Sequence, residues 1–465
     1  MQKIVAKTDN IHKLVQDAIK KNGTNCDLNY IDVSQVTDMS YLFFGSEFVG
    51  DISLWNVSNV TNMSQMFEMS QFNGDISQWD VSNVTDMSRM FANSQFNGDI
   101  NRWEVSHVTN MYRMFADSQF NGDISDWNVS NVEDMSLMFE MSQFNGDISR
   151  WKTPCLKNMS RMFCGSKFTG DISKWNVSNV TDMSSLFSGA DFNGDISRWK
   201  VSDVMDMRGL FWESKFTGDI SKWKVSNVTT MRGMFFHSQF NGDISCWDVS
   251  NVNDMGEMFY ASKFTGDISN WVVSNVTNMS SMFRESQFNG DISKWDVSRV
   301  TNTDYMFWKS EFNGNIDSWN VSNVKNKYGF MFAYCPLENN PPKWWFHNAE
   351  LIVKKIREKG VFAAIINYAV RTIQKKHQMR SSASSQKLCI TLGMVYPYIK
   401  KGVEIFCQKE AFRTNTEEIE KAVNELTNSV SVKNVQKQKE MDAHAKMKEM
   451  LTSDAGEGDN QKSEK

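Results

Sequence analysis

Trp79-Asp80-Val81-Ser82-Asn83-Val84-Thr85-Asp86-Met87-Ser88-Arg89-Met90, continued by Phe91-Ala92-Asn93-Ser94-Gln95-Phe96-Asn97-Gly98-Asp99-Ile100-Asn101-Arg102, is one complete period of this chain. Trp103 opens the next, and tryptophan recurs every 24 residues from Trp55 to Trp319 without a slip. Ile31 holds the same slot one period earlier, which gives about thirteen units. A period of this length marks a stacked repeat, because one such unit cannot bury its own apolar face.

The pattern accounts for the composition. Twelve of 16 Trp, 24 of 32 Phe and 20 of 30 Met stand in fixed columns. Stacking identical units sets each side chain on its own kind in the next coil, so these columns read as core.

Within a unit the grammar changes twice. Ile172 to Ser178 alternates, with Trp175 and Val177 on one side and Lys174, Asn176 and Ser178 on the other, which predicts a short strand. Thr85 to Phe91 spaces Met87, Met90 and Phe91 at i, i+3 and i+4, which predicts a short α- or 3₁₀-helical turn. The Phe-Asn-Gly-Asp stretch at Phe72 to Asp75 reverses the chain. Its glycine, present in all twelve units from Gly50 to Gly314, is expected to need positive φ.

These residues resemble a known family. Trp79 to Met87, then Met90-Phe91 and Phe96 to Ile100, are similar to the BspA-like leucine-rich-repeat surface proteins, whose repeat was first noted in mycoplasma lipoproteins and Listeria surface proteins. Asn101 departs from the Ser usual in that slot. Asn25 to Ser34 and Pro336 to Trp344 also resemble the beginning and end of such arrays. The resemblance covers about residues 25 to 345. It implies a leucine-rich-repeat-like solenoid with the Trp-x-Val segment as strand of a concave face, adhesion or protein contact at a cell surface, and no catalysis.

The expected organisation is an N-terminal amphipathic helical cap over 1–24, the solenoid over 25–345, an α-helical cap or domain over 346–412, and a charged helix with a disordered tail over 413–465. An apolar stripe from Ile352 to Ile373 suits a helix covering the last coil. The array frays before it, where Thr303 and Lys327 break a Met column and Met331-Phe332 sit one residue late.

Departures from the pattern are where partners are sought. Beside four consecutive tryptophans stand Arg150 and Lys152, Lys174, Arg198 and Lys200, and Lys222 and Lys224. Residues two apart on a strand share a face, so seven cations would form a strip about 15 Å long. It is either a patch for an acidic partner or an ordinary solvated surface. No aromatic residues are interleaved there for base stacking, which argues against nucleic acid.

Eleven aspartates, Asp51 to Asp291, follow the turn glycines. One carboxylate per coil is too few for calcium, so they are expected to accept turn N–H groups. Pro154 is expected to bend the array or to open one hydrogen bond. A Cys155–Cys164 disulfide is a minor alternative.

The net charge of −5 over 465 residues favours no polyionic partner. Seven scattered cysteines point to a reducing compartment, and no apolar run reaches membrane-spanning length. The start lacks a signal-peptide core, which favours the cytoplasm, whereas the resemblance implies the cell surface. The six histidines are isolated, and hydrolase, phosphate-loop and dinucleotide motifs are missing, so no enzyme, metal or cofactor is expected. The leading expectation is a non-catalytic interaction or adhesion scaffold with a protein partner. The alternative is an assembly protein that oligomerises through its C-terminal helices and uses the array as a spacer.

Overall fold

The computed structural model describes residues 3–324, 330–338 and 340–345. The expectations for 346–465 lie outside the described residues. The chain divides into two compact units, Met1–Pro342 and Lys343–Lys465.

The N-terminus is only partly the expected helix. β1 (Ile4–Lys7) is a strand, paired in parallel with β2 (Ile31–Gln35), and α1 (Ile11–Asn22) follows it. Ile11, Val15 and Ala18, at helical spacing, are the buried stripe of α1. Lys20 and Lys21 lie in its last turn, where cations suit the helix dipole. Gly23, at φ 87°, ends it by donating its N–H to Ile19 O at 2.8 Å.

From Asp38 to Asn302, parallel bridges at 24-residue intervals tie each coil to the next. The bonds that do this lie in the segment expected to be helical. Met87, Arg89, Phe91 and Asn93 donate their N–H groups to Asn110, Tyr112, Met114 and Ala116 of the following coil, at 2.7–3.0 Å. The intervening Met90, Ala92 and Ser94 donate three residues back, to Met87, Arg89 and Phe91. Hence the segment is a run of β-turns whose alternate amides form an inter-coil ladder. A helix is ruled out because two residues per turn run, such as Arg89 (φ 57°) and Asn93 (φ 55°), take left-handed backbone. The turns reproduce the i, i+3, i+4 burial of Met87, Met90 and Phe91 without a helix.

The Trp-x-Val segment is likewise not a strand. Trp175 N–H closes a turn on Ile172 O and Val180 N–H one on Val177 O, each at 3.1 Å. The alternation of burial survives, with Trp175 and Val177 inside and Lys174 and Asn176 exposed. The three residues Trp-x-Val are too short for a ladder, and the tryptophan amide closes a local turn instead.

The columns form a continuous core. Each tryptophan from Trp55 to Trp319 donates its indole N–H to the carbonyl 27 residues earlier, as Trp79 does to Ile52 O at 3.2 Å, so burying it leaves no orphan donor. Phe67 and Phe91 stack across coils at 5.6 Å and 2°, and Trp151 lies over Trp175 at 5.9 Å. Buried serines such as Ser94 accept the N–H of the phenylalanine two residues on. Side-chain amides also bridge coils, as when Asn83 Nδ2 donates to Ser58 O at 2.8 Å.

Three further expectations are corrected. The turn glycines from Gly50 to Gly314 are not at positive φ. They are needed for close approach: a Cβ on Gly74 would meet the Phe72 ring at 2.8 Å. Pro154 opens no ladder bond. Lys157 N–H still reaches Glu133 O at 2.9 Å, and Pro154 O accepts from Asn179. In eight of the other tryptophan coils the N–H at that position is taken by the side chain two residues before, as Ser82 N–H is by Asp80; here that residue is Lys152, which accepts nothing, and proline has no N–H to satisfy. Cys155 and Cys164 are free thiols. The one-residue delay near the end is real, because Phe307 N–H pairs with Met331 O, 24 residues on, where earlier coils pair at 23.

Candidate interaction face

The aspartate column turns the chain into the outward face. Asp75 accepts the Ser77 N–H at 2.9 Å, and each aspartate from Asp51 to Asp291 binds the amide two residues on. Three and five residues after each aspartate come the two positions that flank tryptophan. Burying the indole between them leaves both in water.

All seven cations, Arg150, Lys152, Lys174, Arg198, Lys200, Lys222 and Lys224, are exposed on this face. Arg150 contacts Asp126 of the preceding coil at 3.3 Å, but both side chains are more than 70% exposed, so water and salt screen the pair. Among the described residues the other six make no ion pair or side-chain hydrogen bond within the protein.

The strip is less positive than its own residues suggest. Asp147, Asp171, Asp195 and Asp219 lie in the same four coils. Hydrogen bonds from Ser149, Ser173, Ser197 and Ser221 hold these carboxyls below the usual aspartate range, and Arg150, Lys174, Arg198 and Lys222 add to the effect. The aspartates therefore remain ionised and offset four of the seven positive charges.

A second decorated face went unnoticed in the sequence. It is formed by the outward side chains of the turn run, which lean onto the following coil. Near the start it is ionic: Glu140, 5% exposed, accepts from Arg113 at 3.2 Å and from Arg161 Nε at 2.8 Å. Glu68 holds Arg89 at 3.4 Å, and burial raises its carboxyl above the usual range despite Arg89 and Arg113. Further along it is aromatic. Trp212 stacks on Phe236 at 3.6 Å, and the Arg284 guanidinium lies 4.4–5.4 Å from the rings of Trp308, Tyr260 and Tyr305. The available signal was variation: these positions change at almost every coil, beside Met and Phe columns that change far less.

Among the described residues no group of three or more His, Cys, Asp or Glu could hold a metal ion, and no helix is long and apolar enough to cross a membrane. Uniform columns build the stack and changing columns dress it, which defines a tandem-repeat protein. The chain belongs to the family described as "Mycoplasma protein of unknown function, DUF285", which matches residues 9–119, 68–167, 94–191, 141–245, 184–287 and 236–345. No curated protein and no solved structure matches it.

Proposed function

We propose that the chain is a non-catalytic interaction or adhesion scaffold of the BspA-like kind, a leucine-rich-repeat-like solenoid that meets a protein partner through the tryptophan-flanking face. One observation carries this reading: six of the seven strip cations are exposed and without an internal ion partner among the described residues, although a rigid hydrogen-bonded stack holds them. The stack sets the backbone position of each cation, so association orders only their side chains and not the chain that carries them.

The four neighbouring aspartates limit the attraction to a partner of moderate acidity. The test is capture from host extract by the intact chain and by a variant in which Arg150, Lys152, Lys174 and Arg198 are all changed to Glu. Loss of the captured protein is expected. An identical set of partners on both baits would refute the strip as the contact.

A further inference from the structure

The charge on the tryptophan-flanking face is banded along the stack. In the four coils from Trp55 to Trp127, seven exposed carboxylates, among them Asp80, Glu104 and Asp126, face outward with only Arg102 against them. In the next four, Trp151 to Trp223, seven cations stand against four carboxylates. The coils of Trp247, Trp271 and Trp295 are acidic again, with five carboxylates against Lys294. The Arg150–Asp126 contact at 3.3 Å spans the first boundary, which shows that neighbouring bands lie on one surface.

The two N-terminal bands are equal in length, opposite in sign and adjacent. A two-fold axis perpendicular to the stack, placed between the Trp127 and Trp151 coils, would set the Trp55 coil of one molecule against the Trp223 coil of another. The remaining six coils would pair in the same reversed order. Each acidic band then meets a basic band, twice over, along about 38 Å at roughly 4.8 Å per coil. A closed two-fold pairing requires such a self-complementary patch. Moving the axis to the boundary between Trp223 and Trp247 would pair the basic band with the weaker acidic one. Centring it within the basic band would oppose like charges.

We infer that the tryptophan-flanking face binds a second copy of this chain, antiparallel and offset, with acidic coils 55–127 of each copy on basic coils 151–223 of the other. The inference rests on the reading of this face as an interaction surface and names its partner. The contact is electrostatic, so salt weakens it: the Debye length shortens from about 10 Å at 0.1 M to about 3 Å at 1 M.

Sedimentation velocity of the full chain tests it, with two charge-reversed variants. The first carries Lys174→Glu, Arg198→Glu and Lys222→Glu. The second carries Asp80→Lys, Glu104→Lys and Asp126→Lys; Lys152, Lys200 and Lys224 already occupy the column of Asp80 and Glu104, so the fold accepts lysine there. The native chain is expected to dimerise at low salt, with a dissociation constant at least tenfold weaker in 0.5 M salt. Each variant alone should remain monomeric, and the two mixed should form a heterodimer.

A native chain that stays monomeric at low salt overturns the inference, as does a dimer indifferent to salt and to both sets of reversals. If the first variant loses a captured foreign protein while the native chain is monomeric, self-pairing fails and the scaffold reading stands. If dimerisation follows the charge pattern while capture is unchanged, the foreign-partner reading fails instead.

Discussion

Glycine serves two unlike purposes in this chain. At Gly170 the Cβ of an alanine would lie 2.8 Å from the Phe168 ring, although the backbone there is ordinary. At Gly189 nothing lies closer than 3.9 Å, yet φ is 63°. Gly189→Ala should therefore cost about 1–2 kcal/mol through backbone alone, and Gly170→Ala about 1–3 kcal/mol through overpacking. Ala261, at φ 50°, permits the converse: Ala261→Gly should stabilise by about 1 kcal/mol. Denaturant midpoints at constant slope measure all three. Sequence alone could not separate the two roles. The left-handed positions carry twenty residues other than glycine, Arg, Leu, Tyr and Met among them, against six glycines, because most amides at those positions are answered by the next coil and the strain is outweighed.

Columns behave as the structural elements of this molecule. Phe168→Ala in a middle coil should cost about 3–5 kcal/mol, since its ring lies fully buried between Phe144 and Phe192. Lys174→Ala should leave the urea midpoint unchanged, and equal effects would contradict the assigned sides. The aspartate column adds a pH dependence. Serine N–H and hydroxyl groups depress the carboxyls of Asp75, Asp123, Asp171, Asp219 and Asp267 in the folded chain. Depressed folded values mean that the stabilisation is complete above the unfolded value, near pH ~4, and is lost as pH falls through the lower folded values. Urea melts between pH 6 and 2.5 should show the midpoint falling below about pH 4. A variant with Ser125 and Ser173 changed to Ala should show a smaller fall. The period, the buried columns and the carboxylate turns were legible because each recurs in nearly every unit, with Thr303 in a Met column and Asn315 after the last turn glycine among the few departures. The local elements were not. A turn run with an inter-coil ladder buries Met87, Met90 and Phe91 as a helix would, and Trp175 with Val177 alternate in burial without any strand.

Across the whole molecule, the cations of the candidate face were legible because a fixed 24-residue register lets one column be followed by eye. Their balance was not, because the offsetting aspartates stand three residues before the first cation of each coil and read as turn residues alone. The turn face was hidden for a different reason. Its residues sit at left-handed positions, or one before them, within a segment whose spacing suggested a helix. Whether Glu68, Glu140 and Arg284 touch anything is fixed by how side chains lean across coils.

The direction of the ladder has a consequence for biosynthesis. Amides such as those of Met87 and Phe91 donate to carbonyls 23 residues downstream, so the acceptors of each winding are made after the winding itself. A nascent chain leaving the ribosome is expected to carry one winding whose ladder amides still face water until its successor emerges, while amides such as that of Thr85, which donates to Thr61 O, are already answered upstream. Growth thus advances by single steps of 24 residues. A pause in translation at any point would leave one period frayed, with the completed windings behind it already sealed.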